Sequence, residues 1–159
     1  MAKRVCLLVL MLTFWLGAAA QPTTSAREMV KSIVEKYDGK GGIESMICTK
    51  GSGLEMIKMA MRKELGKDFV KGVDIIIIID YSKADKQTSE TISTQIDKLK
   101  SGYQQMELSK EMTEGEHLRN YFNFDDEKEV ITDMVMLSEG KEDKYVVYFG
   151  GEMGVPKTK

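Results

Sequence analysis

Histidine occurs once in this chain of 159 residues, at His117. Any centre built on two imidazoles is therefore excluded, and a Ser-His-Asp triad would have His117 as its base. Proline is nearly as scarce. Pro22 and Pro156 are the two, so no proline-rich linker or low-complexity tract divides the chain. No segment recurs at a fixed period. Cysteine is limited to Cys6 and Cys48. A dominant charge is also missing, with 23 basic residues against 25 acidic ones. That balance lacks the basic footprint of a nucleic-acid binder and the polybasic patch of a membrane-surface protein. With 42% hydrophobic and 30% charged residues, the composition is globular rather than disordered.

The first twenty residues are of a different material. Lys3 and Arg4 make a basic start, Val5–Leu16 is apolar except for Thr13, and Ala18-Ala19-Ala20 supplies small residues. This is the three-part pattern of a secretory signal. The apolar run falls short of the roughly 20 residues a spanning helix needs. Cys6 lies at the beginning of that run, whereas a lipoprotein signal places cysteine just after it. The expectation is a cleaved signal peptide over residues 1–20 and a single domain over 21–159, periplasmic or secreted, with no membrane span after cleavage. Loss of Lys3 and Arg4 leaves 21 basic residues against 25 acidic, net −4. Cys48 is then alone, so no intrachain disulfide forms and stability must come from the core. The flanking Met46-Ile47-Cys48-Thr49-Lys50 places Cys48 on a half-buried strand rather than in a reactive site.

Val73–Tyr81 reads VDIIIIIDY. β-branched side chains resist helix and suit a pleated surface, and an all-apolar run is buried on both faces. This stretch is expected to be the central strand. Before it, Ser25 and Glu28 form a capping-box signature for a helix over Ala26–Tyr37, with Met29, Val30, Ile33 and Val34 at helical spacing. The turn Asp38–Gly42 ends that helix, and a short strand follows over Ile43–Thr49. A second helix is expected over Leu54–Leu65, with Gly66 as its C-terminal cap. Asp68-Phe69-Val70 leads through Gly72 into the isoleucine strand. Thr88–Ser101 reads as a third helix with a sparse stripe of Ile92, Ile96 and Leu99. Tyr103–Met112 is a weak strand candidate. Glu116–Phe124, Val130–Ser138 and Tyr145–Phe149 read as strands joined by short turns, the last ended by Gly150-Gly151. Such turns make antiparallel hairpins. The expected fold is α+β, with helices packed on one face of a largely antiparallel sheet and a C-terminal β-meander. A parallel crossover through Thr88–Ser101 is the alternative.

The signal pattern, the start SAREMVKSIVEKYDGKGG, the isoleucine strand and the closing ITDMVMLSEGKEDKYVVYFGGEM together resemble a group of uncharacterised exported bacterial domains, a domain-of-unknown-function family of Gram-negative envelopes. The resemblance implies a periplasmic or secreted α+β domain. It assigns no functional residue.

Few residues are candidates for chemistry. Asp80 ends the central strand, where ligand crevices form in open α/β sheets, and with His117 it would make a hydrolytic pair. Asp74 and Asp80 are more simply the solvated limits of a buried strand. Gly39-Lys40-Gly41-Gly42 and Lys50-Gly51-Ser52-Gly53 lack the full phosphate-loop pattern and read as turns. Asp125, Asp126, Glu127 and Glu129 lack the glycine and spacing of a calcium loop and read as a solvated turn. Met56, Met59 and Met61 crowd one helix, and thioethers favour Cu(I). Yet Met56 and Met61 are five positions apart, about 500° at 100° per residue, and do not share a face. Core packing is the first reading of that helix, since a helix apolar nearly all round is usually buried. A protein-partner surface comes second and a soft metal third. No cofactor is implied. The functional expectation is a non-enzymatic envelope domain that binds another protein or has a structural role, the alternative being small-ligand or Cu(I) binding through the Met-rich helix.

Overall fold

The computed structural model describes residues 24–105 and 117–156. The expected signal segment and most of the strand candidate Tyr103–Met112 lie outside them. Helix α1 (Ala26–Tyr37) opens with the anticipated capping box: the Ser25 hydroxyl accepts the Glu28 N–H at 3.3 Å, and the Glu28 carboxylate accepts the Ser25 N–H at 3.4 Å. Strand β1 (Glu44–Cys48), helix α2 (Ser52–Leu65), the single-turn-scale helix α3 (Lys67–Lys71) and strand β2 (Val73–Asp80) follow. The lead-in at Asp68–Val70 is helical, and its Phe69 and Val70 turn inward together onto the core. Helix α4 (Lys86–Asp97) is capped by Asp85, whose carboxylate accepts the Thr88 N–H at 2.9 Å. A 3-10 turn at Lys98–Ser101 leads to β3 (Gln104–Gln105), β4 (His117–Asp125), β5 (Val130–Glu139) and β6 (Lys144–Met153).

The strands form one sheet in the order β1-β2-β6-β5-β4-β3, and every pairing is antiparallel. No parallel crossover exists among the described strands. The isoleucine strand is interior, flanked by β1 and β6, and Ile75, Ile76, Ile77 and Ile79 are buried. Asp74 and Asp80 are exposed at its limits. Strand β6 does not stop at its glycines. Its register against β2 shifts between Val73 and Ile75, where Asp74 is the extra residue, and it runs on to Met153. Here two backbones touch: a Cβ on Gly72 would sit 1.8 Å from the Glu152 carbonyl oxygen, and one on Gly151 2.0 Å from that of Gly72. Gly151 also has φ +142°, a conformation side-chain-bearing residues avoid.

Alternation along the strands sorts the core into two clusters. Ile75, Ile77, Ile79, Val135, Leu137, Val146 and Tyr148 face α1 and α4. Ile76, Met134, Val147 and Phe149 face α2 and α3. The α+β class and the antiparallel sheet stand. The helices, however, do not all lie on one face: α2 and α3 cover part of the other, because alternate isoleucines of β2 leave an apolar surface there too.

The outer edge of β1 is partly closed by the loop before it. The Ser45 N–H donates to Asp38 Oδ1 at 2.9 Å, the Ile43 N–H to the Lys40 carbonyl at 3.0 Å, and the Gly39 N–H to the Ile43 carbonyl at 3.0 Å.

Candidate functional site

Helix α2 has two unlike sides. Leu54, Ile57, Met61 and Leu65 recur at helical spacing and pack toward the sheet, with Leu54 and Leu65 fully buried. Met56, Met59, Ala60 and Lys63 occupy the opposite side and are exposed. Met56 is 71% accessible and Met59 76%. The first reading of this helix as core is therefore corrected for these two residues. A sheet contacts only one side of a helix, so about half of its apolar circumference is left in water. The same geometry separates the three sulfurs. Met61 turns against the sheet while Met56 and Met59 point away, so Met56, Met59 and Met61 do not converge on one ion.

Between α2 and α3 lies an open groove of about 290 Å³, lined by Glu55, Lys58, Met59, Arg62, Lys67, Val70 and Lys71. Lys58 is committed to its own chain: its Nζ lies 3.3 Å from Glu55 and donates to the Val73 carbonyl at 3.3 Å. Arg62, Lys67 and Lys71 have no ion-pair partner among the described residues. From Lys50 to Lys71 there are six basic residues and three acidic ones, in a chain whose net charge is −2.

The sheet beyond the reach of α2 and α3 is only half covered. Ile78, Tyr145, Met136, Phe122 and Phe124 are half-buried around that cluster. Met46, paired with Ile78, extends the same face to the sheet edge at 47% accessibility. Cys48 is a free thiol at a half-buried strand position, as its neighbours suggested.

The opposite face carries a polar cluster that the linear sequence concealed. Arg119 donates to Asp97 Oδ2 at 2.6 Å, to Ser93 Oγ at 2.9 Å and to the Glu139 carboxylate. Tyr121 donates to Asp97 Oδ1 at 2.7 Å, and Tyr81 to Glu139 Oε1 at 3.2 Å. Burial and the neighbouring carboxylates push the hydroxyls of Tyr81 and Tyr121 well above the ordinary tyrosine range. Burial and Asp133 do the same to Tyr148. Each carboxylate of the cluster is paired with arginine and with a phenol, leaving no free base or nucleophile. The arrangement ties α4 to the sheet.

The remaining candidates are dispersed. Asp80 accepts both the N–H and the hydroxyl of Ser82, at 2.9 and 2.7 Å, and the hydroxyl contact holds its carboxyl below the usual range. It is an exposed turn cap. His117 lies at the start of β4, separated from β2 by β5 and β6. Strand alternation puts Asp80 on the face of Ile76 and Ile78, and His117 on that of Tyr121. The hydrolytic pair is thus not assembled. The Asp125–Glu129 turn is organised by Asp125 Oδ1, which accepts the N–H groups of Glu127 and Lys128 at 3.0 and 3.1 Å. Among the described residues no group of three or more His, Cys, Asp or Glu side chains is placed to hold a metal ion. Among the same residues no helix is long and apolar enough to cross a membrane. No protein-family model, curated protein or solved structure matches the chain.

Proposed function

We propose that this chain is an exported envelope domain, of the Gram-negative kind it resembles, that works without catalysis by holding another protein against the outward side of α2. The observation that carries the reading is the exposure of Met56 and Met59 on a helix whose other side seals the core. Unbranched thioether side chains adapt to varied partner surfaces, and exposed apolar groups set among charges mark interaction sites. The half-covered sheet face running from Met46 to Phe124 enlarges the surface available to a partner. The signal pattern and the envelope resemblance support the exported compartment.

The test is a photo-activatable amino acid at position 59 in the exporting cell, with position 92 as a buried control. Position 59 should yield an adduct of defined mass, lost on Met56→Asp, while position 92 yields none. An abundant, folded protein giving no adduct from position 59 would remove the reading.

A further inference from the structure

The groove between α2 and α3 offers Arg62, Lys67 and Lys71 with no partner among the described residues, beside Met59 and over Val70. The chain also carries the complementary charge. Asp126, Glu127 and Glu129 are exposed in the turn between β4 and β5, and Lys128 in the same turn is engaged by Glu152. Both features lie at one end of the sheet. Val73, which follows α3, pairs with Gly151; Ile131, which follows the turn, pairs with Met153.

We propose that a second copy of this chain occupies the groove, the Asp126–Glu129 turn of each protomer entering the Arg62–Lys67–Lys71 groove of the other. The proposal rests on the reading of α2 as a binding surface and names one occupant for it. Because groove and turn share an end of the molecule, one two-fold axis makes both contacts at once and closes the assembly as a dimer. Charge complementarity of exposed groups fixes register and is weakened by salt. A small net charge does little to hold copies apart.

Sedimentation of the purified protein alone tests this. The average mass should climb toward twice the monomer in low salt and return to the monomer in high salt. Arg62→Glu with Lys67→Glu and Lys71→Glu should abolish the dimer, as should Asp126→Lys with Glu127→Lys and Glu129→Lys. An equimolar mixture of the two triple variants should restore it, because each now carries the charge the other needs in both contacts. A wild-type protein that stays monomeric in low salt overturns the proposal. So does a wild-type dimer that the mixture fails to reproduce. Capture of a foreign acidic protein by a monomeric wild type would keep the binding surface and remove the self-docking, so the two readings fail separately.

Discussion

The two faces of the sheet are built from the same strands but finished differently. Toward α1 and α4, Ile77, Ile79, Val135, Leu137 and Val146 are fully buried, and the Arg119 cluster seals the margin. Toward α2 and α3, burial is complete at Ile76, Met134 and Phe149 but incomplete at Ile78, Met136, Phe122 and Tyr145. The first face is closed by two twelve-residue helices, each laying aliphatic side chains along the strands. The second is closed at one end by Leu54, Leu65, Phe69 and Val70. Stability is thus concentrated on one side, and exposed adaptable surface on the other.

The sharpest break in this contrast is a pair of truncations. Ile77→Ala on the closed face should lower unfolding free energy by about 2–5 kcal/mol, whereas Met136→Ala on the open face should lower it by about 1 kcal/mol. Urea denaturation of the two variants checks the difference, and equal losses would mean the faces are equally packed. Arg119→Met comes next. It leaves Asp97 and Glu139 without their cation, but both are partly hydrated, so the expected loss is about 1–3 kcal/mol.

The tyrosines give the same contrast as a pH dependence. Tyr81, Tyr121 and Tyr148 are held neutral by burial and adjacent carboxylates. Their ionisation is easier in the unfolded chain, so their contribution is intact below the ordinary tyrosine value of about 10 and is lost as pH rises beyond it. Absorbance titration should find these three phenols ionising only together with unfolding. The smallest effect is expected for Met59→Asp, within about 0.5 kcal/mol of the parent in thermal or urea unfolding. A loss of several kcal/mol there would return Met59 to the core.

Local signals made much of the fold legible in advance. The Ser25–Glu28 cap, the five isoleucines, Gly66 after Leu65 and the short turns after Phe124 and Ser138 each act within a few residues, and each marked its element within a residue or two. What escaped depends on distant pairing. Insertion of β6 between β2 and β5 joins residues some seventy positions apart, as Ile77 with Tyr148, and nothing near either strand announces it. The glycines at 150 and 151 looked like a strand end because what they admit, the Ile75 and Tyr148 side chains at Gly150 and the Gly72 backbone at Gly151, is set by the folded sheet. The Arg119 cluster draws on Tyr81 just after β2 and on α4, β4 and β5, so no motif contains it. For α2, the apolar pattern was evident but not how much of the helix the sheet would reach, and that decided whether its methionines were core or surface.

Asp38 has a consequence for how copies of this protein can meet. By occupying the outward amide of Ser45, with the 38–40 loop already holding Ile43, it leaves Ile47 as the sole residue of β1 whose outward N–H is open. A neighbour's strand needs a run of such groups to zip onto, and one is too few. At the β1 edge, next to the isoleucine strand, the sheet therefore offers too little open backbone for a neighbour's strand to extend it into a fibre.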